Sequence, residues 1–513
     1  MAFELWNDRP RTLFPSTGRW ASTALKPMSR NLLSSHRLTR WLPAFLSGLA
    51  LAGSQGLQAD SRPIPTSAQT ALDRYVAKPD SSYSWKMAVS LRDESATGYA
   101  IDLTSQTWRT EAEVDRPTWR HWLLVVKPDN LAHTTGLLFI SGGSNKNNNR
   151  PPTPSAELIR IAKETHCVVA ELKMAPNQPL VFGGDGKERV EDDLIAYTWD
   201  KFLKTGDETW PARLPMTKSA VRAMDAVTEF LATEQGGKVR VENFVVAGAS
   251  KRGWTTWATA AVDRRVIGIC PIVIDVLNLT SSMDHHYRAY GFYAPAVGNY
   301  SEQHRIMDWL GTPEMDALNK IEDPYSYRDR YTMPKLVMNA TGDQFFLPDS
   351  SQFFFNDLPG PKYLRYVPNT DHSMRGSDAY ETLLAWQDVL ANRKPLPQFT
   401  WKHEADGSLT VTTQTRPTQV VLWTGHNDAV RDFRLEVAGP IYKSVPMQET
   451  QPGVYTARVS EPAGGWTAYF AELSFNVGAS NPLKLTTDVR VTPSRLPFQT
   501  FRPEVPRKGF LGK

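Results

Sequence analysis

Two cysteines, Cys167 and Cys270, are all that 513 residues contain. Each lies inside an apolar strand-like run, and cysteines on strands of one sheet pair only where their backbones come close. Two buried free thiols are therefore expected, with no metal or redox role. Long apolar runs are just as scarce. The one near the start, Trp41 to Leu51, falls short of the roughly 18 apolar residues of a membrane span and contains Pro43, and no later segment reads as membrane-spanning. Phosphate and dinucleotide loops are missing too, since Gly183-Gly-Asp-Gly186 lacks the strand-to-helix setting such a loop needs. The adjacent pair His285 and His286 does not have the spacing of ligands on one helix face. No metal and no cofactor are expected.

A strong charge of one sign is also absent. The net charge is +4, but residues 1–59 hold seven Lys/Arg (Arg9, Arg11, Arg19, Lys26, Arg30, Arg37, Arg40) against Glu4 and Asp8. That surplus of five exceeds the whole chain's, so the remainder carries −1. The basic balance belongs to the leader and gives no reason to expect nucleic-acid binding. Arg37 and Arg40 before the apolar run, with small residues at Ala50, Ala52 and Ala59, read as an export signal cleaved after Ala52 or Ala59. Met28 would open a more typical signal, leaving 1–27 as an upstream extension. The competing reading is an uncleaved membrane anchor. Export predicts a periplasmic or secreted protein, associated with the cell envelope.

What is present is an ordinary globular composition, 41% hydrophobic and 22% charged, with 37 Pro and 16 Trp, long enough for two or more domains. The stretch from Tyr75 to Ala100 reads as polar and mixed, followed by strands over Gly98–Thr104 and Glu111–Val126. Short wholly apolar runs then alternate with helical stretches. Strands are expected at 136–140, 166–172, 244–247, 266–274, 335–339 and 362–367, with helices near 155–163, 219–233 and 378–390. Runs without polar alternation suit strands buried on both faces, so the fold class is α/β, a mostly parallel sheet with helices on both faces. An insertion at about 277–331 reads as a lid. From Phe399 the pattern becomes alternating strands with Gly and Pro turns (408–413, 419–423, 455–459, 466–473), which predicts an antiparallel β-sandwich over 397–491. The first domain then spans 60–396, and 492–513 is an extended or mobile tail.

Residues 244–253, Phe-Val-Val-Ala-Gly-Ala-Ser-Lys-Arg-Gly, run from an apolar strand through a Gly248-x-Ser250-x-x-Gly253 turn into a helix. A serine on such a turn stands clear of the sheet, and the amide of Lys251, at the positive end of the helix, can receive an oxyanion. The usual second glycine position is filled by Arg252, and the plain alternative is Ser250 as a helix N-cap. Three further segments favour chemistry. Asp343 is the first acid after the strand ending at Asn339, and His372 follows the last strand. Gly142 and Gly143 follow an earlier one and could present amides to an oxyanion. The order Ser250, Asp343, His372 is that of an α/β-hydrolase triad, with Asp275 as an alternative acid. Lys251 and Arg252 could bind an anionic substrate or be paired with Glu191, Asp192 or Asp193. The lid aromatics, with His286 and Tyr287 among them, could form a substrate pocket or simply pack the lid down.

The combination Tyr75-Val, Gly142-Gly-Ser-Asn, Pro176-Asn-Gln-Pro, Gly248-Ala-Ser-Lys-Arg-Gly-Trp254 and Thr341-Gly-Asp343 resembles the PhoPQ-activated pathogenicity-related proteins over roughly residues 70–480. The resemblance implies an α/β-hydrolase-like enzyme of the bacterial envelope, linked to resistance against cationic antimicrobial peptides, and supplies no substrate. The turn also resembles the Gly-Cys-Ser-Arg-x-Gly turn of glucuronoyl esterases. Together these readings predict an exported serine hydrolase acting on a small-molecule or peptide acyl substrate, an esterase ahead of a peptidase. The rival from another class is a non-catalytic envelope protein that binds a peptide, glycan or partner on a hydrolase scaffold.

Overall fold

The computed structural model describes residues 69–146, 150–505 and 507–512. The expected export leader and the Met28 start lie outside them. Among the described residues, no helix is long and apolar enough to cross a membrane.

Six strands at the centre of a large sheet run parallel, in the spatial order Val169–Leu172, Thr135–Ile140, Asn243–Ala249, Val266–Ile272, Lys335–Ala340 and Lys362–Val367. Three of them are buried along their whole length, because helices cover both faces. Arg213–Ala232 and Lys251–Val262 pack their apolar residues into the core on one side. Ala156–Thr165 and Ala379–Ala391 do so on the other. This is the α/β-hydrolase fold. Its parallel part is narrower than the sheet as a whole, since antiparallel strands extend it at both ends.

At one end stand Ser84–Arg92, Ala96–Thr107 and Thr118–Pro128. The first of these lies in the stretch that composition reads as merely polar. Its side chains alternate, Trp85, Met87, Val89 and Leu91 turned inward and the rest outward, as on a strand with one wet face. At the other end Leu364 pairs antiparallel with Thr486, and through that pairing Leu483–Thr486, Trp466–Phe475, Gln419–Asn427 and Lys443–Pro446 continue the same sheet. A second antiparallel sheet, Phe399–His403, Ser408–Thr413, Val454–Arg458 and Gln448–Gln451, packs over them. The C-terminal sandwich therefore shares a sheet and an apolar core with the domain before it. Arg365, fully buried at the seam, pairs with Glu472 at 2.5 Å and with Asp378 at 2.6 Å.

The final residues are extended but held. The Phe498 amide donates to Arg288 O, Arg507 pairs with Asp308, and Phe510 packs against Phe202. Cys167 and Cys270 are free and buried, and burial pushes both thiols up, that of Cys167 to about 11. A thiolate is the reactive form. An aromatic disulfide reagent should therefore give no colour with the native protein and release two equivalents once the chain is unfolded in guanidinium; fast native labelling would contradict this burial.

Candidate active site

Strand Asn243–Ala249 hands over to helix Lys251–Val262 through a single residue, Ser250, whose φ of 58° and ψ of −125° lie where side chains other than glycine are strained. Such strain costs on the order of 1–3 kcal/mol and persists only where its surroundings enforce it. Here they do. The Ser250 amide donates to Ile272 O at 2.8 Å and the Trp254 amide to Ser250 O at 3.0 Å, fixing the turn from both sides. A Cβ on Gly248 would come 2.7 Å from Arg252 O, and one on Gly253 would come 2.9 Å from both Gly248 O and Ile272 O. The close approach that demands a second glycine thus falls at Gly253, which frees the preceding position for an arginine. The Ser250 side chain makes no capping bond, so the N-cap alternative does not describe it. The Lys251 amide, in the first turn, has no intrahelical partner and sits at the positive helix end.

His372 lies beyond the strand Lys362–Val367 and Asp343 beyond Lys335–Ala340, both at the carboxyl ends of the parallel strands, the end from which Ser250 also projects. Asp343 Oδ2 and Oδ1 are 2.8 and 3.0 Å from His372 Nδ1. A carboxylate only accepts, so Nδ1 is the donor in this pair, and Nε2 of the neutral imidazole is the nitrogen that can act as a base. Three more contacts fix this pair. The Phe345 amide donates to Asp343 Oδ1 at 2.8 Å, the His372 amide to Gln344 Oε1 at 2.9 Å, and the Phe345 ring lies 4.4 Å from the imidazole. Phe345 and Ser250 line one pocket, together with Trp254, Ile274, Val276 and Phe346.

Asp275, the alternative acid, is engaged elsewhere. The Tyr366 hydroxyl donates to its Oδ2 at 2.6 Å. Full burial, reinforced by the nearby Asp343 and Asp349 charges, pushes its carboxyl well above the usual range despite the tyrosine bond. Burial thus favours its neutral form, whereas a triad needs a carboxylate.

The two basic residues after the serine are paired, as the sequence allowed. Lys251 Nζ is 2.8 Å from Asp192 Oδ2 and 3.2 Å from Glu191 Oε2. Arg252 forms a two-pronged pair with Glu191 (2.7 and 2.8 Å) and its Nε donates to Ala175 O at 2.6 Å. Arg252 is 2% exposed and lies outside the pocket lining, so its place is in the frame. That frame reaches the other expected oxyanion donors. Glu191 accepts from Gln178 Nε2, which also donates to Gly143 O at 3.3 Å, while Gly142 lies so close to the Arg252 guanidinium that a Cβ there would sit 2.6 Å from it. The Met174 amide binds Gly142 O at 2.8 Å, completing the support of the loop. Arg252, Glu191 and Gln178 thus tie the Gly142–Gly143 loop to the serine helix. Glu191 and Asp192 were legible as candidate partners of the two basic residues, but the part played by Gln178 was not, because contacts between distant segments leave no local pattern.

His286 and Tyr287 also lie outside the lining of the Ser250 pocket. His286 is buried, its Nε2 accepts from the Ala294 amide at 3.0 Å, and burial lowers its pKa to about 3. Tyr287 packs on Tyr293 and Phe501 at the outer side of the insertion. Helix Leu279–Tyr290 turns its other residues, Leu279 and Met283, into the pocket instead.

Burial opposes the ionisation of Glu191, but the Arg252 and Lys251 charges outweigh it and hold its carboxyl well below the usual glutamate range. A group held low in the native state adds stability above its unfolded value and loses it as pH falls through the folded one. Glu191→Ala should therefore cost about 3–5 kcal/mol at neutral pH, because it strands a buried guanidinium, and should flatten the acid limb of stability against pH. Denaturant midpoints measured from neutral pH down into the acid range would check both parts.

The chain belongs to the PhoPQ-activated pathogenicity-related protein family, whose profile matches residues 72–434. It is similar to Autocrine proliferation repressor protein A of Dictyostelium discoideum, with 40% identity over 460 residues covering 84% of this chain and 92% of that protein. Among solved structures it is similar to acetyl xylan esterase 1 from Thermoanaerobacterium sp. JW/SL YS485, at 15% identity and a TM-score of 0.42 over 63% of this chain and 91% of that one. A glucuronoyl esterase from Solibacter usitatus matches at 14% identity and a TM-score of 0.35, over 62% and 91% of the two chains.

Proposed function

We propose that this protein is a serine hydrolase that cleaves an ester through an acyl-enzyme. Ser250 Oγ attacks the acyl carbon, His372 Nε2 takes its proton and returns it to the leaving oxygen, and Asp343 holds the imidazole and stabilises its charged form. The amides of Lys251 and of Gly142 or Gly143 receive the oxyanion. The observation that carries this reading is the Asp343–His372 pair, standing at the carboxyl ends of the same parallel strands as a serine held in a strained turn. Water then attacks the acyl carbon with the same imidazole as base, releasing the acid and restoring Ser250.

Ester cleavage is preferred to peptide cleavage because the pocket beside Ser250 has largely apolar walls. Export to the periplasm or beyond and a part in envelope defence against cationic peptides complete the proposal, and rest on the leader sequence and the family. The test is labelling with a fluorophosphonate, which reacts with an activated serine. Stoichiometric labelling of the protein, lost in Ser250→Ala, supports the reading. An unlabelled, folded protein would favour a second one, a binding protein on this scaffold, which is suggested by the Dictyostelium relative's name as an autocrine repressor.

A further inference from the structure

The pocket beside Ser250 has two kinds of wall. Trp254, Ile274, Val276, Phe345 and Phe346 belong to the core, and the opposite side is built by Leu279, Met283, Val297, Tyr300 and Met307 from the insertion. Between these walls about 40 Å³ is open to a water-sized group. Each charged side chain of the lining already has a partner: Asp192 accepts from Tyr300 at 2.9 Å and from Lys251, and Arg213 pairs with Glu322 at 2.9 Å, which disfavours a charged acyl group.

The C-terminal segment crosses the outside of that same insertion. The Phe498 amide binds Arg288 O and its ring covers Gly291, at the end of helix Leu279–Tyr290. Phe501 packs against Tyr287 and Tyr293 at 5.1 and 5.4 Å. Arg507 pairs with Asp308 at 3.0 Å, beside the pocket residue Met307. The amides of Gly509 and Leu511 both donate to Glu314 Oε1, at 3.1 and 3.2 Å, on helix Pro313–Glu322. Phe510 then leaves the insertion and inserts beside Phe202 and Gly206 of the core helix Glu191–Thr205, with its amide near Leu203 O. One extended segment thus binds three separate pieces of the insertion and fastens them to the core.

We propose that residues 498–505 and 507–512 strap the insertion down, and that the narrow pocket beneath it selects short uncharged acyl groups, of roughly two to four carbons if each takes up about the space of a water molecule. Met283 and Met307 set the length limit directly, whereas Phe510 and Arg507 set it from outside by holding the wall in place. The substrate part rests on the hydrolase reading above; the strap itself does not.

The experiment uses the full-length protein, the double variant Arg507→Ala with Phe510→Ala, and Met307→Ala. Turnover of acetyl, butyryl and octanoyl esters of one phenol is compared, and the rate at which a protease cuts within 277–331 is followed in parallel. The wild type should prefer acetyl or butyryl to octanoyl by about a hundredfold or more in kcat/KM, since each methylene that does not fit costs about tenfold or more. The double variant should keep its acetyl turnover, gain at least about tenfold in the octanoyl-to-acetyl ratio, and be cut faster. Met307→Ala should raise the ratio without faster cutting. Equal wild-type rates on acetyl and octanoyl esters would overturn the short-acyl part. An unchanged cutting rate in the double variant would overturn the strap. If no ester is turned over, or if Ser250→Ala is as active as wild type, the hydrolase reading fails and the short-acyl selection fails with it, while the protease rates still decide the strap.

Discussion

Ser250→Ala should lower kcat on any ester the protein cleaves by about 10⁴–10⁶, and abolish fluorophosphonate labelling, while changing the unfolding free energy by no more than about 0.5 kcal/mol. The size of the activity loss follows from the role: without Oγ there is no acyl-enzyme, and only water aligned by the oxyanion donors remains. The small stability effect follows from the turn. Alanine at φ 58° bears much the same strain as serine, and the serine side chain gives no capping bond that alanine would lose. The two readouts together separate a catalytic serine from a structural one. A structural N-cap would instead lose about 1 kcal/mol of stability and leave turnover alone. A drop in activity of less than about tenfold on a confirmed substrate would remove Ser250 from the mechanism.

How much of this could be read from the chain depended on how local the cause was. The central strands were legible because a run such as Leu137 to Ile140, apolar without interruption, has no wet face to alternate toward. The strand Lys362–Val367 was legible as well, even though it carries Arg365, whose partners Glu472 and Asp378 could not be foreseen. The helix Glu191–Thr205 was missed, although three acids in its first turn and Gly206 at its end are ordinary start and stop signals. Those acids read as candidate partners for Lys251 and Arg252, which Glu191 and Asp192 are, whereas Asp193 pairs with Lys187 and His304. The joining of the sandwich to the main sheet through Leu364 and Thr486 had no local signature at all. Pairing across 122 positions is decided by packing, and the Gly and Pro turns near residue 397 mark a change of topology without marking a break in the core. The tail illustrates the same limit. Pro and Arg suggest an extended chain, and it is extended, but only the folded insertion supplies the carboxylates of Asp308 and Glu314 that hold it.

Asp343→Asn should reduce turnover by about 10⁴ with little change in substrate affinity, whereas Asp275→Asn should change it by less than about tenfold. Both acids follow the carboxyl ends of neighbouring parallel strands, so sequence position alone does not separate them. Their partners do. Asp343 accepts from His372 Nδ1 at 2.8 Å, and an asparagine there can offer its N–H₂ to the imidazole, which favours the tautomer with the proton on Nε2, where it cannot act as a base toward Ser250. Asp275, pushed by burial toward its neutral form, accepts from the Tyr366 hydroxyl, a bond that the neutral amide reproduces at nearly the same size. The pair of variants therefore tests the assignment more sharply than either alone, because both remove one carboxyl from the same edge of the sheet. A larger loss in Asp275→Asn than in Asp343→Asn, with both proteins folded, would transfer the acid's role one strand earlier and leave the His372–Asp343 bond a structural one.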